Sequence, residues 1–115
     1  TEGTCKSGIY RKVFEKHGLK LVVPESEEQQ HITELIYDIK RSREDINPEN
    51  TIKVVSALRK RGAEVIILGC TELPIAFSMF DISSSYVDSL EVLAMSAMAF
   101  AGKDIRYEKI DKGMK

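Results

Sequence analysis

A chain of 115 residues, 43% hydrophobic and 30% charged, has room for one domain with a sizeable core. Its net charge of -1 gives no reason to expect nucleic acid or a membrane surface as a partner, and its apolar runs fall far short of the roughly 20 residues a membrane span needs. Two cysteines without a CxxC, and no basic segment leading into an apolar one, point to a cytoplasmic setting with free thiols.

Residues 6–17 read as a helix. Ile9, Tyr10, Val13 and Phe14 form an apolar stripe at helical spacing, and Gly18 closes the end. Residues 19–23 read as a short strand stopped by Pro24. Ser26 to Gln29 has the pattern of a capping box. The helix it opens carries Ile32, Leu35, Ile36 and Ile39 on one face.

A polar connection over residues 41–47 follows. Asn47 as cap and Pro48 at the first position start the next helix, with Ile52, Val54, Val55 and Leu58 on its buried side and Gly62 at its end. Residues 64–68 form the clearest strand, because four consecutive apolar residues, Val65 to Leu68, run into Gly69. Residues 75–80 form a short helical turn, and residues 84–87 a brief strand. Asp88 or Ser89 caps a last helix over 90–101. That helix leaves little polar surface, so it is expected to be buried on most sides, in part by a missing domain or a second chain.

Strands alternating with helices predict an α/β fold of three layers around a mainly parallel sheet. Residues 1–101 make up the folded lobe, and the charged segment 102–115 is expected to be a loosely held tail. The turn Thr1-Glu2-Gly3-Thr4 sits where a strand leads into a helix, although the strand before it is missing.

Cys70 is the leading candidate for chemistry. It follows a buried strand at the carboxyl edge of the sheet, where open α/β sheets bind ligands. Backbone N–H groups and the positive end of a helix favour thiolate there, and a thiolate acts as nucleophile or base. The plain alternative is a small buried residue. Cys5 reads as a helix-start residue without a role, and a disulfide between the two is not expected.

The Thr1–Thr4 turn offers hydroxyls and N–H groups to a carboxylate or phosphate, although such turns before helices are common. Thr71 and Glu72 serve the same pocket or cap the following helix. Lys40 borders the apolar face of its helix, from which a lysine snorkels to solvent or points into a polar cleft. Lys40 to Arg43 is most simply a solvated helix end. His17 and His31 complete no metal cluster with either cysteine.

Taken together, these residues resemble the carboxyl-terminal half of the aspartate/glutamate racemase superfamily. The carriers are Thr1-x-Gly3-Thr4, Ser7-Gly8-x-Tyr10, Pro24, Ile36-Tyr37-x-x-Lys40, Gly69-Cys70-Thr71-Glu72-Leu73-Pro74 and Val87-Asp88. Glu72 resembles the aspartate racemase branch, since the glutamate branch usually has histidine there.

The resemblance implies one lobe of a two-lobe, pseudo-symmetric fold that closes over a small dicarboxylate amino acid. It implies no cofactor and no metal. One cysteine from each lobe faces the substrate's α-carbon, one removing the proton and the other returning one from the far side. By that resemblance Cys70 is the second cysteine, Lys40 binds a substrate carboxylate, and Thr1, Thr4 and Thr71 line the carboxylate pocket. The first cysteine belongs to the amino-terminal lobe, and Cys5 does not match it. The chain is thus expected to be a fragment, inactive alone, that partners the amino-terminal lobe of the same protein and forms a homodimer.

Other readings are a relative with different chemistry at one cysteine (a hydantoin racemase, a maleate isomerase or a malonate decarboxylase) and a non-catalytic carboxylate-binding lobe.

Overall fold

The structure, a computed structural model, describes residues 1–105, so most of the expected tail over 102–115 lies outside the described residues. The chain runs α1 (Glu2–Lys6), α2 (Ile9–Lys16), α3 (Ser26–Lys40), α4 (Glu49–Lys60), β1 (Ile66–Leu68), α5 (Glu72–Met79), β2 (Tyr86–Asp88) and α6 (Ser89–Phe100). The two strands lie parallel, with Ile66 opposite Tyr86 and Leu68 opposite Asp88, so the α/β expectation holds in a small sheet.

The single helix expected over 6–17 is two helices. Thr1 accepts a hydrogen bond from the Thr4 N–H, which starts α1 at Glu2, and Gly8, at φ 68°, breaks the path before α2. Gly18 closes α2 as expected. With Gly18 left-handed, the Leu19 N–H turns back to the Phe14 carbonyl at 2.9 Å.

Residues 19–23 form no strand, because no neighbouring strand among the described residues takes up their backbone groups. Val22 still packs against the core. The capping box lies one residue earlier than Ser26 suggested: Glu25 caps α3, and its N–H donates to Glu28 at 2.8 Å. Glu28 also takes two bonds from Arg61, whose Nη2 reaches the Val23 carbonyl at 3.4 Å. One guanidinium thus ties the segment before α3 to the end of α4.

The start of α4 is shifted by one residue the other way. Pro48 occupies the cap position, and the Asn47 side chain accepts from the Glu49 N–H at 2.9 Å. Its buried face is Thr51, Val54, Val55 and Leu58. Thr51 is 2% exposed and Ile52 46%, against the expectation for Ile52, because adjacent helical residues point about 100° apart and Ile52 falls outside the 51–54–55–58 stripe.

The core lies where α3, α4 and α5 meet β1. Leu68 (1% exposed), Ala76, Phe77, Val54, Leu35 and Ile36 form its centre. Phe77 meets Tyr86 edge to face at 5.4 Å, which links α5 to β2. Arg59 clamps the sheet entrance: it donates to the carbonyls of Ala63 and Glu64, to Ser84 Oγ at 2.8 Å and to the Ser85 carbonyl at 2.9 Å.

The last helix is capped as expected. Asp88 Oδ1 accepts from the N–H groups of Leu90 and Glu91. Its burial differs from expectation: α6 has no buried residue, and Leu90, Leu93 and Phe100 (96% exposed) stand open. Nothing among the described residues covers that face. No helix among the described residues is long and apolar enough to cross a membrane.

Candidate active site

Strand β1 ends at Leu68, Gly69 turns the chain, and α5 starts at Glu72, so Cys70 and Thr71 occupy the strand-to-helix turn at the carboxyl edge of the sheet. The turn is short because Thr71 already has helical backbone angles, φ -75° and ψ -24°. Ser89 Oγ donates to the Leu68 carbonyl at 2.9 Å and fixes the strand end from the other side. Cys70 is half-buried and carries a free thiol. Among the described residues no group of three or more His, Cys, Asp or Glu side chains forms a metal site.

Glu72 gathers the polar groups of this turn. Cys70 and Thr71 directly precede it in the turn, and Lys40 Nζ, from the end of α3, stands 3.8 Å from its Oε1. Burial raises the Glu72 carboxyl, but its own backbone N–H, the Thr71 hydroxyl, the Cys70 thiol and the Lys40 ammonium together hold it below the usual carboxylate range. Glu72 is therefore an anion at neutral pH, 17% exposed at the side chain, with a cation at its edge.

Lys40 itself is 53% exposed at the side chain and lies 5.7 Å from the centre of the Tyr37 ring. It leans towards Cys70 and Thr71 through Glu72, yet it remains free to meet a ligand from solvent.

Thr1 and Thr4 form a second group. Their hydroxyls hydrogen-bond to each other at 2.6 Å. A Cβ placed on Gly69 would lie 3.9 Å from the Thr4 methyl and 3.9 Å from the Tyr10 hydroxyl, so both side chains stand over the residue before Cys70. Gly69 permits this approach without filling the space. Cys5 points elsewhere: it is exposed, and its thiol lies 3.6 Å from Gln29 Oε1. His31 contacts Asn50 and Glu34, and His17 ends α2.

The predicted residues therefore converge from two sides. Lys40 meets Glu72, in the turn that holds Cys70 and Thr71, whereas Thr4 stands over Gly69 and Thr1 is bonded to Thr4. A cavity of about 960 Å3 is lined by Thr1, Thr4, Tyr10 and Gly69 but not by Cys70, Thr71 or Lys40, and its walls are mainly apolar side chains. The polar chemistry lies beside this cavity, not inside it.

Two participants were under-read in the sequence. Glu72 appears there as a pocket residue, a cap or a branch marker, and only the structure brings Lys40 to it. Tyr10 is visible as part of a motif, but its place over Gly69 depends on the bend at Gly8.

No solved structure matches the chain. The family profile described as Asp/Glu/Hydantoin racemase matches residues 1–97. That match spans most of the 115 residues and includes both sides of the site, and so the chain belongs to the Asp/Glu/hydantoin racemase family.

Proposed function

We propose that the chain is the carboxyl-terminal, second-cysteine lobe of a cofactor-independent racemase acting on aspartate or a similar dicarboxylate amino acid. The observation that carries this reading is the free Cys70 thiol at the end of a parallel strand, two residues before an anionic Glu72 that Lys40 approaches to 3.8 Å.

Inverting an α-carbon by proton exchange requires one group to take the proton and another, on the opposite face, to return one. In this reading Cys70 supplies one face. As a thiol it donates its proton to the carbanion, and as a thiolate it accepts the α-proton in the reverse direction. A substrate carboxylate competes with Glu72 for the Lys40 ammonium, and the loose 3.8 Å pairing makes that exchange inexpensive. The Thr1, Thr4 and Thr71 hydroxyls supply further hydrogen bonds to carboxylate oxygens.

The opposite face needs a second thiol. Cys5 is a poor candidate, being exposed beside Gln29. The reading therefore assigns that thiol to an amino-terminal lobe, packed in part on the open apolar side of α6, with the assembled protein a cytoplasmic homodimer.

The test is solvent-deuterium incorporation into each enantiomer of aspartate by the two-lobe protein and its Cys70→Ala variant. Loss of α-proton exchange from one enantiomer with retention from the other is expected. Unchanged incorporation from both would remove Cys70 from the reaction. Racemisation by the 115-residue chain alone would overturn the two-lobe assignment.

A further inference from the structure

Tyr37 stands on α3 outside the core. Leu35 and Ile36, just before it, are buried, whereas Tyr37 is 52% exposed. What its ring does meet is charge. Lys40 Nζ lies over the ring, 5.7 Å from its centre, and the Arg41 guanidinium lies over it at 5.8 Å. Helical spacing produces both contacts, since residues three and four apart are neighbours on a helix surface.

The negative face of an aromatic ring attracts a cation within about 6 Å of its centre. Lys40 needs such help. Its ammonium sits on a flexible four-carbon stem with many rotamers to lose. Its side chain is 53% exposed and its approach to Glu72 is loose at 3.8 Å, and an open pair of that kind does not fix a lysine. One contact to Tyr37 on its own helix and one to Glu72 on α5 together restrict where the ammonium can stand.

The local charges also leave room for a ligand. Lys40 and Arg41 bring two positive charges to the ring, and Glu72 brings one negative charge to Lys40. Asp38, next to Tyr37 in the chain, is taken by Arg43 at 3.4 Å. A surplus of positive charge therefore remains for an incoming carboxylate.

We propose that Tyr37 is a positioning residue for Lys40: its ring holds the ammonium at the Glu72 edge of the site, so that a substrate carboxylate meets a cation already in place. The proposal rests on the reading of Lys40 as a carboxylate contact. The ring attracts the ammonium whichever anion it faces, so its hold persists while a substrate carboxylate replaces Glu72. Part of the cost of ordering Lys40 is then met before the substrate arrives.

The probe is succinate, an unreactive dicarboxylate, so no turnover is needed. Its Kd is measured by calorimetry on the two-lobe protein and on its Tyr37→Leu, Tyr37→Phe, Lys40→Met and doubly substituted Tyr37→Leu/Lys40→Met variants. Leucine is a good helix former and the site is half-open, so Tyr37→Leu is expected to fold.

Tyr37→Leu is expected to weaken succinate by about two- to fivefold, the scale of an exposed cation–ring contact. Tyr37→Phe keeps the ring and is expected to bind as the parent does. In the Lys40→Met protein, Tyr37→Leu is expected to add nothing, because the group it positions is gone. Parent-like binding by Tyr37→Leu, or a loss in Tyr37→Phe equal to that in Tyr37→Leu, would overturn the proposal. So would a Tyr37→Leu effect of full size in the Lys40→Met protein, which would assign the ring to Arg41 or to packing. Lys40→Met binding succinate as the parent does would remove the carboxylate reading of Lys40 and this proposal together. Weaker binding by Lys40→Met with none by Tyr37→Leu would overturn this proposal alone.

Discussion

Lys40 Nζ and the Glu72 carboxylate stand 3.8 Å apart, and this contact joins the end of α3 to the start of α5 next to the Cys70 thiol. The pair brings opposite charges to a sheet edge that otherwise offers a thiol and a hydroxyl. It is half-open to solvent on the lysine side, so its value is positional, not stabilising.

If Lys40 receives a substrate carboxylate, Lys40→Met raises KM for dicarboxylates by about tenfold or more, the scale of a lost charge-assisted hydrogen bond. Neutral amino acids are affected much less. Steady-state kinetics of the two-lobe protein with both substrate classes checks this, and equal effects on both would count against the contact.

Glu72, an anion beside Lys40, stands two residues after Cys70 in the same strand-to-helix turn. Glu72→Gln removes that charge and leaves Lys40 without its partner. In a Cys5→Ser background, alkylation of Cys70 by iodoacetamide at pH 7 is expected to become several-fold faster. Identical rates in the two proteins would show that Glu72 does not act on the thiol.

Arg61 and Glu28 supply a pH-dependent brace. The Arg61 hydrogen bond is the main reason the Glu28 carboxyl lies below its ordinary value of 4.5, burial opposing it and the Glu25 backbone assisting. A carboxyl whose native pKa is lowered contributes stability above its unfolded value, and that contribution is lost as pH falls through the native one. Glu28→Gln is therefore expected to lower the urea midpoint at pH 7, with the difference from the parent shrinking below about pH 4.5. A gap that persists unchanged at acid pH would exclude an ionic origin.

Leu68 is 1% exposed and sits directly before the Gly69–Cys70 turn. Leu68→Ala leaves a cavity under that turn and is expected to cost about 2–5 kcal/mol in urea unfolding. The replacement Leu68→Met keeps the volume and is expected to cost less than about 1.5 kcal/mol.

Arg59 fastens α4 to the entrances of both strands through four oxygen acceptors. Arg59→Met keeps the apolar stem and removes the fork, at an expected cost of about 1.5–3 kcal/mol. Arg59→Lys recovers only part of this, since one ammonium cannot match the planar spread of donors. Full recovery by lysine would show that charge alone is sufficient.

Local patterns alone were enough to identify most elements. The 3–4 spacing in α3, the glycines at 18 and 62, and the apolar run into Gly69 each encode a backbone preference that acts over a few residues. The thiol at the strand end and Lys40 at the helix border were visible for the same reason. Three features depended on distant partners. Residues 19–23 have strand-like composition but no ladder among the described residues, because a strand exists only where another backbone meets its edge. Ile52 looked buried until the packing of α4 chose Thr51 for the inside. Glu72 became the centre of the polar cluster only when α3 brought Lys40 to the start of α5, a contact between residues 32 positions apart that no local spacing encodes. The sequence by itself determined which side chains can do chemistry and which backbone stretches are helical. The tertiary structure decided which of those side chains meet and which edge of β1 pairs with β2, because both depend on how separate segments pack.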